Sequence, residues 1–165
     1  GAFSVTLSAA EAGHSDLIAQ LMRDSENAEL TVDIPANGVT AELLNAIKAF
    51  LEHLAAGSAV TALPKPLKGA WASAVNEFER GIVAQVGADN VIGLLNTAHT
   101  LQIDALRALL SAYVASKVDE IANQHGNNVM EAAAEIRAFL NVPNTWTEEE
   151  SRHLSDEMEY LLAPK

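Results

Sequence analysis

The sequence predicts an α+β chain in which helix far outweighs strand. Two short runs and one long pattern predict it. Residues 3–7 (FSVTL) and 30–34 (LTVDI) alternate apolar and polar side chains, the period of a half-buried strand. From Thr40 onward, apolar residues recur at three- and four-residue spacing through nearly every segment, the period of helices with one buried face. A lone pair of strands is marginal without helices to cover it, so the small sheet is expected to lie under helices.

Each element follows from local signals. After the first strand, Leu17, Ile18, Leu21 and Met22 fall at helical spacing behind Ser15, a suitable N-cap. The second strand stops at Pro35, as an edge strand would. Asn37-Gly38 turns the chain, and Thr40 caps a helix bearing Leu43, Leu44, Ile47, Phe50, Leu51 and Leu54. Residues 57–69 (GSAVTALPKPLKG) read as a loop. A further helix carries Trp71, Val75, Phe78, Ile82, Val83 and Val86 and breaks at Gly87. Asp89 is expected to cap the helix of Val91 to Ala98, and Asp104 the helix of Leu106 to Ile121. After a turn at residues 124–127 (QHGN), Asn128 precedes a helix with Val129, Met130, Ala133, Ile136 and Phe139.

Composition narrows the function. The chain has 165 residues, 49% hydrophobic and 19% charged, which is a folded chain with a real core. Its net charge of −12 argues against nucleic acid and anionic membrane as partners, because affinity for both rests on cations. With no cysteine there is no disulfide framework and no thiol chemistry, which fits an intracellular protein. No apolar run is long enough for a membrane span, and no basic-then-apolar leader opens the chain. The five histidines (His14, His53, His99, His125 and His153) form no zinc-binding pair at helical spacing. No nucleophile elbow, phosphate loop or dinucleotide fingerprint is present. Glu148, Glu149 and Glu150 are adjacent on a helix and point apart, so they suit a helix N-terminus better than a metal. The expectation is a non-enzyme with neither cofactor nor metal.

The most informative stretch is residues 136–160, IRAFLNVPNTWTEEESRHLSDEMEY. One helix ends at Leu140, the chain turns through Asn141, Val142, Pro143 and Asn144, and Thr147 with Glu150 makes a capping box for the last helix. Ile136, Phe139, Leu140, Val142, Trp146, Leu154, Met158 and Tyr160 are large apolar or aromatic groups set among charges. They read either as helix packing or as anchors of a protein interface.

The run Ile136, Arg137, Leu140, Asn141, Val142, Asn144, Trp146, Thr147 and Glu148 to Glu150 resembles the C-terminal signature of the S-phase kinase-associated protein family. These are the adaptor subunits of SCF-type ubiquitin ligases, in which a BTB/POZ domain holds a cullin and the C-terminal helices hold an F-box. The resemblance extends over most of the chain, including the step Leu101-Gln102-Ile103 between two helices. It implies a BTB/POZ-like domain over residues 1–118 with a small sheet, and a helical F-box-binding extension over 119–165. It further implies an F-box surface made of Val114, Val118, Ile136, Leu140, Val142, Trp146 and Tyr160, with Tyr160 where the family has Trp. His99 and Thr100 stand at the cullin-facing position, where the family has Asn and Tyr. The implied partners are F-box proteins and a cullin, in the cytoplasm or nucleus. Three departures mark a divergent member. The family's second strand is missing, the cullin-facing ring is gone, and the link from Asp119 to Glu135 is longer. An F-box-binding subunit outside ubiquitination is the alternative the lost ring suggests. Self-association is the one an unpaired strand edge suggests.

Overall fold

The computed structural model describes residues 3–25, 30–34, 39–67 and 69–162, with backbone alone for 159–162. The predicted turn at Asn37-Gly38 lies outside the described residues. Helices follow one another along the chain: α1 (Ala9–Ala12), α2 (Asp16–Asp24), α3 (Ala41–Ala55), α4 (Trp71–Ala74), α5 (Glu77–Val86), α6 (Val91–Thr100), α7 (Asp104–His125), α8 (Val129–Phe139) and α9 (Glu148–Leu162). A 3₁₀ turn, Ala88–Asn90, leads into α6. Two compact units result, Gly1–Val114 and Ala115–Lys165, where the sequence reading divides the chain after residue 118.

The expected α+β fold, with a BTB/POZ-like sheet, is not what forms. Among the described residues there is no strand, and neither alternating run belongs to a sheet. The alternation is nonetheless expressed in burial over part of each run, although Phe3 and Leu30, which open the two runs, are exposed. Val5, Leu7, Val32 and Ile34 are half-buried, while Thr6 and Asp33 are exposed. Leu7 and Ile34 pack against the helical core. Period-2 patterning reports which side chains turn inward, and helices provide that cover here without a hydrogen-bonded ladder. The strand edge that suggested self-association is therefore absent among the described residues.

The first unit is organised on α3. Its Leu43, Ala46, Ile47, Phe50 and Leu51 lie on one face and join Ile82, Val83 and Val86 of α5, Val91, Leu94 and Ala98 of α6, and Leu106, Leu109 and Leu110 of α7. Phe50 is fully enclosed, and burying such a side chain contributes about 1.5–3 kcal/mol. Trp71 donates its indole N–H to the Leu109 carbonyl at 3.2 Å and meets the Tyr113 ring edge-on, 5.0 Å between centroids.

Caps decide where helices begin. Ser8 and Glu11 form a capping box that starts α1, a helix the periodicity misses. Asn76 and Glu79 form another, which splits the predicted helix of Trp71 to Val86 into α4 and α5. Asp89 does not cap α6. It lies inside the 3₁₀ turn, and Asn90 stands at the N-cap position, its side chain donating to the Val86 carbonyl.

The step between α6 and α7 is tied down from a distance. Leu101 ends α6 and Gln102 adopts a left-handed conformation, φ 54°. The N–H of Ile103 then reaches the Ala98 carbonyl, closing a Schellman motif. Ser15, fully buried, donates its hydroxyl to the Leu101 carbonyl and accepts from the N–H of Ile18, so one side chain caps α2 and holds the step. A non-glycine residue in the left-handed region costs about 1–2 kcal/mol. Glycine recovers part of that and loses part to unfolded-chain entropy. Gln102→Gly is thus expected to raise stability by about 0.5–1 kcal/mol in denaturant unfolding. A loss of stability would show that the Gln102 side chain holds the step.

Candidate protein-interaction surface

The second unit holds most of the expected surface. The last turn of α8 closes on a second Schellman motif. Asn141 takes φ 56°, its N–H bonds the Ala138 carbonyl, and the Val142 N–H bonds the Arg137 carbonyl at 2.9 Å. Asparagine tolerates this conformation better than most residues, which accounts for Asn at this stop. Pro143 follows, where it ends any helical continuation. The Asn144 side chain accepts from the N–H of Trp146 at 3.3 Å, a short turn that sets up the next helix. Thr147 then caps α9 as expected. Its hydroxyl accepts from the N–H of Glu150 at 3.2 Å, and the Glu150 carboxylate accepts from the Thr147 N–H and hydroxyl, both at 2.9 Å. The backbone hydrogen bond from Thr147, and then its hydroxyl, hold the Glu150 carboxyl below its usual pKa.

This geometry leaves two apolar groups in water. Val142 is 50% exposed and Trp146 is 46% exposed. Trp146 immediately precedes the cap, where a staple would pack an apolar side chain on the fourth helical residue. That residue is Ser151, so α9 offers the indole no staple partner. Ile136 and Leu140, one turn apart at the end of α8, are half-buried, as is Val118 on α7. Val114 belongs to the first unit and packs against its core. Tyr160 lies on α9, and its side chain is outside the described residues.

His99 and Thr100 lie exposed at the end of α6. The Thr100 hydroxyl donates back to the Asn96 carbonyl at 3.0 Å. The His99 ring sits 3.5 Å from the guanidinium of Arg107, which also pairs with Asp104 at 2.9 Å. The pair thus presents polar groups and no large ring.

Sequence reasoning missed one cluster. His125, at the end of α7, has its ring between Glu131 and Glu135 of α8. The signal was available as a histidine at a helix end, followed past the turn by two glutamates one helical turn apart. Elsewhere His53 stacks on Phe78, 3.8 Å between centroids and 8° between planes, as a packing group. No group of three or more His, Asp or Glu side chains among the described residues could hold a metal ion, and no described helix is long and apolar enough to cross a membrane.

Set against known proteins, the chain matches no family, no curated protein and no solved structure.

Proposed function

We propose that the chain is a docking adaptor whose C-terminal unit binds the F-box of a substrate receptor, as an adaptor of an SCF-type ubiquitin ligase does. One observation carries the proposal. The indole of Trp146 is nearly half exposed just ahead of a well-formed helix cap, and the position of a staple partner is held by Ser151. Aromatic anchors of this kind concentrate the binding energy of interfaces. The same residues carry the resemblance to the S-phase kinase-associated protein family, which supports an F-box as the occupant. The proposal rests on α8, α9 and their connection, and not on any sheet. The chain would act by bridging, bringing a bound substrate near the ubiquitin-charged enzyme that a cullin scaffold serves, with no chemistry of its own.

The exposed His99–Thr100 pair favours a second reading. Without a ring, the cullin-facing position lacks the anchor that hot spots prefer. An F-box-binding subunit of a complex outside ubiquitination fits that surface better. Affinity purification of the tagged chain with mass spectrometry separates the two. F-box proteins with stoichiometric cullin establish the ligase adaptor, and F-box proteins without cullin establish the second reading. Absence of both overturns the proposal.

A further inference from the structure

We propose that His125, Glu131 and Glu135 form a pH-sensitive clasp across the turn between α7 and α8, closed while the imidazole is protonated and open once it is neutral. The chain leaves α7 at His125 and reverses through Gly126, whose φ of 54° is one that glycine adopts freely. Asn128 caps α8 by accepting from the N–H of Glu131 at 3.3 Å. Glu131 and Glu135 stand one turn apart on α8 and so face the same side. The ring enters between them. Its Nε2 lies 2.5 Å from a Glu135 carboxylate oxygen, and its Nδ1 lies 3.6 Å from one of Glu131. The imidazole side chain is 23% exposed.

The donor count makes this arrangement depend on protonation. Imidazolium carries two N–H donors, one for each carboxylate. Neutral imidazole carries one, and its bare nitrogen then faces a carboxylate oxygen, lone pair to lone pair. Glu131 and Glu135 are the charged groups that α8 turns to the ring. On α7, one turn back, Glu120 is already engaged by Lys117 at 3.0 Å and by Gln124 at 3.0 Å, and brings no cation to His125. The C-terminal end of α7 also favours positive charge at this position.

The hydrogen bond to Glu135 raises the His125 pKa above its ordinary value of 6.5, and the charges of Glu135 and Glu131 add to it. A raised folded-state value means that the clasp contributes fully below the ordinary value and is lost as pH rises through the raised one. The clasp is independent of the partner proposed above, and its test needs no partner, so the two can fail separately.

The test is an NMR titration of the His125 ring from about pH 5.5 to 8.5, spanning the ordinary histidine range. It is combined with amide exchange of Val129 to Ala132, corrected for intrinsic rates, in the full chain. His125 is expected to titrate above 6.5. Protection of the first turn of α8 should fall through the same midpoint, by up to about tenfold per unit of elevation. Glu135→Gln should bring the midpoint down toward the ordinary value. His125→Gln should make protection independent of pH. A wild-type midpoint at or below the ordinary value, or protection that does not follow it, overturns the clasp.

Discussion

Trp146→Ala is expected to reduce capture of F-box proteins by about thirtyfold while leaving the fold intact. The binding loss follows from removing an aromatic anchor at the centre of an interface, which costs about 2 kcal/mol or more, and 1.4 kcal/mol is a factor of ten. The intact fold follows from the position of the ring. It is 46% exposed, and the cap of α9 is built by Thr147 and Glu150, not by the indole. Thermal unfolding should therefore move by no more than an exposed substitution does, within about 0.5 kcal/mol. Binding and stability separate in this variant. If Trp146 were a core residue instead, the two losses would arrive together.

The largest expected effect on stability is that of Glu79→Ala. Glu79 is fully buried, and its carboxylate accepts three hydrogen bonds. The Thr61 N–H comes at 2.6 Å, the Thr61 hydroxyl at 2.7 Å and the Asn76 N–H at 2.9 Å. It thereby closes the cap of α5 and pins the preceding loop, whose Val60, Leu63 and Leu67 pack on the core. No cation is paired with it among the described ion pairs, so these three donors are the partners that the side chain has. A hydrogen bond to a charged group contributes about 1.5–3 kcal/mol, and a buried donor left unpaired costs about 1–3. Relief from burying the charge offsets part of the sum. Glu79→Ala should cost about 2–4 kcal/mol by urea unfolding, and Glu79→Gln should cost less, because one acceptor oxygen remains. An unchanged midpoint in Glu79→Ala would show that the loop and the cap hold without the carboxylate.

The sequence made some of this legible and hid the rest for physical reasons. The helical faces of α3, α6 and α7 were readable, because an apolar stripe at three- and four-residue spacing can be buried in few other ways. The Thr147–Glu150 box was readable because the whole interaction lies within four residues. The Ser8–Glu11 and Asn76–Glu79 boxes have the same form and could have been read the same way. The alternating runs form no sheet because alternation does not specify a ladder: Leu7 and Ile34 meet their burial by packing on helices, and Phe3 and Leu30 stay exposed. The double role of Ser15 was beyond reach, since its second partner lies 86 residues along the chain. At the candidate surface, residue types were visible from the start. That Trp146 stays half in water fits Ser151, which gives the indole no apolar partner at the staple position.

The most direct test of the account is a calorimetric titration of a purified F-box segment into the full chain, wild type beside Trp146→Ala. Saturable one-to-one binding by the wild type is expected, with a weakening of about thirtyfold in the variant. An absence of binding, or equal affinity for both chains, would contradict the proposal that the C-terminal unit is an F-box dock.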